Sequence, residues 1–194
     1  MEQEIKIKGE IAGDPDVCKF TVDRPVYAGG SAYFGSREMT QQSPLAKRLF
    51  EIPQIQSVLI AGDHVIVTKS GYEPWQTFGK LIGTTIREHL ATGEEAVSEE
   101  FRRGLPSEED LRKKVRQVLD DEINPAVAMH GGYVDLVDVK NNSIYIQFQG
   151  GCHGCASASM TLKMGIEKAI RQHLPEIGEI LDATDHASGA NPYY

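Results

Sequence analysis

Cys152 and Cys155 stand two residues apart in Gly150-Gly151-Cys152-His153-Gly154-Cys155. A two-residue gap lets both sulfurs turn to the same side of a loop and bind one metal centre. Gly151 and Gly154 permit a tight backbone and the close approach of a bulky ligand. The stretch runs straight into a helical pattern, and a helix N-terminus favours the thiolate, the form that binds metal. By itself the spacing leaves three readings open: a metal site, a dithiol redox pair, or two plain buried cysteines.

Counting ligands narrows these. A tetrahedral zinc or a four-iron cluster commonly takes four protein ligands. The chain has three cysteines, and Cys18 stands alone far upstream. Two chains related by a two-fold axis would bring four equivalent thiolates together. The pattern therefore points to a centre bridged between two subunits, released when a partner separates them.

The elements that must carry this loop can be read on either side of it. Ser107-Glu108-Glu109-Asp110 resembles a capping box. Leu111, Val115, Val118 and Leu119 then give an apolar stripe at helical spacing, limited by Pro125. His130-Gly131-Gly132 turns the chain, and Tyr133–Val139 and Ser143–Gln149 alternate as two strands around Lys140-Asn141-Asn142. After the cysteines, Ala156–Leu174 reads as a helix, and Glu179–Ala183 as a last short strand. The order is α-β-β-α-β.

Upstream, Glu4–Glu10 and Val17–Val22 read as strands. Ser43-Pro44 opens a helix, with Ser as N-cap and Pro at the first helical position. Val58–Ile60 and Val65–Thr68 flank Ala61-Gly62-Asp63-His64 as a hairpin, and Pro74–Leu90 is a second helix. This order is β-β-α-β-β-α. The sequence thus predicts an α+β protein of two small domains, residues 1–93 and 108–186. Between them 94–107 reads as an acidic linker with a short helical piece around Ala96–Arg103, and 187–194 as a C-terminal tail.

Composition closes off several classes. Of 194 residues, 20 are basic and 28 acidic, a net charge of −8, and no region is basic, so nucleic acid is a poor partner. No apolar stretch approaches the ~20 residues of a membrane helix, and no membrane role is expected. The first residues lack the features of a signal or transit peptide, which gives a cytoplasmic expectation. There is no H-E-x-x-H, no G-x-x-x-x-G-K-[ST] and no G-x-S-x-G, and no carboxylate pair is singled out, so the chain is not read as an enzyme.

Residues 109–186 resemble the C-terminal NifU domain of the Nfu family of iron–sulfur cluster scaffold and carrier proteins. The pieces that match are Asn124-Pro125-Ala126-Val127 with His130-Gly131-Gly132, then Gln149 through Cys155, then Thr161-Leu162-Lys163-Met164-Gly165-Ile166-Glu167. Residues 4–90 are similar to the Nfu N-terminal domain through Asp14-Pro15-Asp16-Val17-Cys18-Lys19-Phe20 and Ser43-Pro44-Leu45-Ala46-Lys47-Arg48-Leu49-Phe50. Asp14, Asp16 and Cys18 depart from the Asn, Asn and Leu usual there, which puts Cys18 at a core position. The ending, Asp185–Tyr194, resembles the tails of bacterial members.

The resemblance implies a [4Fe–4S] cluster on Cys152 and Cys155, shared between two subunits. It also implies a homodimer when loaded, and transfer of the cluster to apo iron–sulfur client proteins after supply by upstream assembly proteins. The domain of residues 1–93, lacking a cysteine cluster, is assigned client or donor recognition. A zinc-bridged structural dimer and a dithiol–disulfide oxidoreductase are the rival readings.

Other conspicuous residues have plainer roles. Cys18 reads as a small buried hydrophobe, His153 as a loop residue, and His130 as a turn or supporting residue. His64 and His89 read as a turn and a helix-face residue. Met160 and Met164 read as core, Trp75 as packed on the sheet, and Tyr193-Tyr194 as a terminus.

Overall fold

A computed structural model gives the fold over residues 4–129, 131–150 and 156–183, with the main chain alone for 156–161. The chain divides into two compact units, Met1–Leu105 and Pro106–Tyr194. Both mix helices with sheet, as the α+β expectation has it. Among the described residues no helix is long and apolar enough to cross a membrane.

The first unit is a five-stranded antiparallel sheet with strand order β1-β2-β5-β4-β3. Its strands are β1 (Ile7–Ile11), β2 (Val17–Val22), β3 (Tyr27–Phe34), β4 (Ile55–Gly62) and β5 (His64–Lys69). Strict alternation in β2 and β5 turns Cys18, Phe20 and Val22, with Val65 and Val67, into the core. Gly62, at φ +47°, turns β4 into β5 where the hairpin is read in the sequence.

Helix α1 (Pro44–Leu49) starts as its residues dictate. Ser43 is extended, and its Oγ accepts from the Ala46 N–H at 3.1 Å, with Pro44 at the first position. Helix α2 (Trp75–Ala91) buries Phe78, Ile82, Ile86 and His89 and leaves Leu81 half exposed. Trp75 packs edge-on against Phe20, with ring centroids 6.3 Å apart. Its indole N–H donates to the Pro15 carbonyl at 2.7 Å.

Two features depart from the sequence reading. The order gains a strand, β3, because Gly29-Gly30 inside it look like a turn. They sit instead at an edge, where the pairing with β4 slips between Tyr27 and Ser31, and Gly30 adopts φ +133°. The stretch read as a solvated linker from residue 94 is folded up to Leu105. Ala96 and Val97 are buried, and the Ala96 carbonyl accepts from Ser43 Oγ at 2.7 Å. Helix α3 (Glu99–Gly104) sets Phe101 against Phe34, with ring centroids 5.6 Å apart. Few apolar residues among many acids hide this packing from a composition count. The contact pattern divides the chain after Leu105, twelve residues beyond the end read for the first domain.

The second unit has a three-stranded sheet, order β6-β7-β8, with β6 (Gly132–Lys140) and β7 (Ser143–Gly150) antiparallel and β8 (Ile180–Asp182) parallel to β7. Helix α4 (Glu108–Val118) is capped by Ser107, whose Oγ accepts from the Asp110 N–H at 3.1 Å. Leu111, Val115 and Val118 are its buried stripe. Leu119–Ile123 widen into a π-turn, in which the Asn124 N–H bonds the Leu119 carbonyl five residues back, and α5 (Asn124–Ala128) follows. Pro125 explains the widening: its ring would meet the carbonyl four residues earlier in a regular α-helix.

Helix α6 (Ala156–His173) contributes Ile166 and Ile170 to a core shared with Leu111, Val115, Ile144 and Ile146. Burying one such Leu or Ile side chain is worth ~1.5–3 kcal/mol, so this single core supplies most of what holds the unit.

Candidate metal centre

The two thiols read as ligands lie in the connection from β7 to α6. Cys152, His153 and Cys155 fall in 151–155, outside the described residues, as does His130. The described framework on either side is closely specified.

β7 ends at Gly150, which pairs across the ladder with Gly132 at the start of β6. Gly150 has φ +73° and Gly131 φ +72°. A Cβ on Gly150 would collide with the Gly131 carbonyl oxygen, so only glycine fits there. A Cβ on Gly131 would meet none of the described residues, and the Gly131 N–H donates to the Ala128 carbonyl at 2.9 Å. Gly131 and Gly132, where the chain enters β6, therefore meet Gly150, where it leaves β7, although they lie far apart in sequence.

Asn124 fixes this end of the sheet. Its amide Nδ2 donates to the Val134 carbonyl at 3.0 Å, and its Oδ1 accepts from the Val134 N–H at 2.8 Å. β6 is an edge strand, so a side chain here takes the place of a neighbouring strand. At the other end of β6, Arg112 of α4 meets Asp138 at 2.7 Å, and that guanidinium holds the Asp138 carboxyl below the usual range.

Helix α6 is tied to the sheet by Lys163, whose Nζ lies 2.6 Å from Asp182 Oδ2 of β8 and 5.8 Å from the centre of the Phe148 ring of β7. Arg171 Nη2 donates to the Gly178 carbonyl at 2.9 Å, fixing the turn into β8. Asn124, Lys163 and Asp182 are supports that sequence reasoning does not single out. Asn124 and Lys163 lie within the matched segments, but nothing in their spacing says what they touch.

The remaining residues sort as follows. Cys18 is a free thiol, buried in the first unit, and burial pushes its pKa up to about 11. A thiol so placed is a poor metal ligand, as the sequence reading has it. His89 is fully buried and its pKa is lowered, chiefly by burial, with Arg48 adding to the effect and Glu94 opposing it. His64 opens β5 and sits 3.2 Å from Asp63. Met164 is half exposed rather than core, because Ile166 and Ile170 take the inward positions of α6; the Met160 side chain lies outside the described residues. Met129 and Tyr133, flanking the glycine turn, are exposed too, at 81% and 45%. Among the described residues, no three of His, Cys, Asp and Glu come together as a metal site.

Two family models match the chain: "Scaffold protein Nfu/NifU N terminal" over residues 7–93 and "NifU-like domain" over 115–181. The human "NFU1 iron-sulfur cluster scaffold homolog, mitochondrial" is 31% identical over 179 residues, which span 90% of this chain and 70% of that protein. The chain belongs to the Nfu family of iron–sulfur scaffold proteins. A NifU-like protein of Schizosaccharomyces pombe is 28% identical over 80% of this chain and 63% of its own length. The "Fe/S biogenesis protein NfuA" of Ectopseudomonas mendocina is 46% identical over 43% of this chain and 44% of its own. The chain thus spans less than two thirds of the length of these last two relatives. Within the Nfu family frame, the two family-model matches fall one in each compact unit.

Proposed function

We propose that this chain binds an iron–sulfur cluster, a [4Fe–4S], between two copies of itself and hands it to apo iron–sulfur client proteins. The observation that carries the reading is the pair Cys152 and Cys155, set between the glycine-closed end of β7 and the start of α6 in an Nfu-family chain. Each copy brings two thiolates, and the four-iron cargo takes four. Cys155 immediately precedes Ala156, the first residue of α6, and the first turn of that helix carries no acid. The helix dipole then favours thiolate without a competing charge. The exposed Met129 and Tyr133, beside the Gly132–Gly150 pair, offer apolar surface to a second copy at the same end of the unit.

Transfer is ligand exchange. A client thiolate attacks iron, its Fe–S bond forms, and the bond to Cys152 or Cys155 breaks. Repeating this four times moves the cargo intact, with no electron gained or lost. The first unit recognises clients or the upstream donor, and the setting is the reducing cytoplasm, where such thiols stay free. Catalysis of covalent change in a substrate has no part in this.

Anaerobic reconstitution tests it. The expected product is a brown dimer with four iron and four acid-labile sulfide per two chains. A colourless zinc dimer, an iron-loaded monomer, or a metal-free monomer that reduces disulfides would each defeat the reading.

A further inference from the structure

The sheet of the first unit ends on one side at β1, and among the described residues no strand pairs with its outer edge. The hydrogen bonds to β2 fix which groups face outward. The Asp23 N–H donates to the Lys6 carbonyl at 3.1 Å and the Ala12 N–H to the Val17 carbonyl at 2.9 Å. Antiparallel alternation then turns the main chain of Lys8 and Glu10 toward β2, and that of Ile7, Gly9 and Ile11 outward. The Ile5 carbonyl, of the same parity, is indeed used from outside: Arg87 Nε of α2 donates to it at 3.1 Å.

Beside this edge lies a cleft of about 650 Å³ between β1 and α2. Three glycines line it, Gly9 on the strand and Gly79 and Gly83 on the helix. Gly83 is buried, and among the described residues a Cβ there would meet nothing within 4 Å. The floor is apolar, with Phe20 at its base, Trp75 at one end, and Ile11, 59% exposed, at the lip. The charges lining it are Lys80 and Arg87, both positive, in a chain of net charge −8. Lys8 and Glu10, on the other face of β1, neutralise each other at 2.8 Å.

We propose that this edge and cleft take an extended, acidic segment of a partner protein, which adds to β1 as a sixth strand. Its main chain bonds Ile7, Gly9 and Ile11, one apolar side chain enters the space left by Gly79 and Gly83, and a carboxylate meets Lys80 or Arg87. A free strand edge supplies hydrogen bonds to any extended chain, whereas the pocket and its charge select the sequence. The inference deepens the recognition role given above to the first unit.

The probe is a capped octapeptide of alternating valine and threonine bearing one glutamate, titrated into the iron-free full chain. Trp75 is the single tryptophan, so its emission reports the cleft directly. A saturable change is expected, weakened at least tenfold by Gly83→Leu, which fills the cleft, and about fivefold when the glutamate is replaced by lysine. Amide exchange at Ile7, Gly9 and Ile11 should slow on binding in the unsubstituted protein, a readout that does not depend on how the variant folds. No saturable response to millimolar peptide, unchanged exchange at these amides, equal binding by folded Gly83→Leu, or no preference for glutamate overturns the proposal. Because iron is absent throughout, its failure leaves the cluster reading standing, and a protein that fails to load iron leaves this one standing.

Discussion

Asn124 and Val134 exchange two hydrogen bonds, one in each direction, between a helix side chain and the main chain of an edge strand. The pair is buried, so neither Val134 group has water as a substitute. It holds the start of β6, and with it the glycine turn that faces Gly150.

Asn124→Ala should cost the second unit about 2–4 kcal/mol, since it orphans a buried N–H and a buried carbonyl together. Asn124→Asp should be no milder, because a carboxylate facing the Val134 carbonyl cannot donate. Urea denaturation of the two variants checks both figures; a loss under about 1 kcal/mol for Asn124→Ala would mean that the pair contributes little.

Gly150 and Gly131 should respond differently to alanine. At Gly150 the added carbon collides with backbone and the φ is positive, so a loss of roughly 3 kcal/mol or more is expected. At Gly131 an added carbon would meet none of the described residues, and the positive φ is penalised by about 1 kcal/mol. Thermal melts of the two variants should rank them in that order.

The three cysteines should separate by reactivity. Cys152→Ala and Cys155→Ala should each abolish iron loading and return the loaded dimer to monomer on gel filtration. Cys18→Ala should load iron normally. In the native protein at about pH 8, iodoacetamide should spare Cys18, whose thiol is pushed up to about 11 and is buried. Labelling of Cys18 as fast as Cys152 and Cys155, read by mass spectrometry, would contradict its placement.

The legible part of this chain is whatever repeats with a period. β2 and β5 alternate, α1 carries its cap and proline, and α4 and α6 show their stripes, so both units can be drawn in outline. β3 is hidden because two glycines inside a bulged edge strand resemble a turn. Residues 94–105 are hidden because their packed positions, Ala96, Val97 and Phe101, are scattered among acids. Cys152 and Cys155 announce their chemistry through type and spacing. Their supports do not: Asn124 reaches a main chain ten residues on, and Lys163 an acid nineteen residues on, contacts that leave no periodic trace.

Acid should destabilise the first unit through His89. Its folded pKa lies below the unfolded value, so as pH falls through about 6.5 the unfolded chain takes up a proton that the folded chain refuses. Stability is therefore greatest above that pH and declines below it. His89→Gln should flatten the decline between about pH 7 and pH 5.5, measured by denaturant midpoint; an unchanged slope would show that other groups drive it.

The π-turn at Leu119–Ile123 amounts to one surplus residue in an otherwise continuous helix. Each residue advances a helix by about 100° of rotation. Winding these same residues into a regular ladder would swing Asn124 by about that angle, away from Val134, while driving the Pro125 ring into a carbonyl. The apparent irregularity is thus a phase adjustment: it sets the azimuth at which an asparagine meets an unclaimed strand, and the chain tolerates a looser coil to keep that bearing.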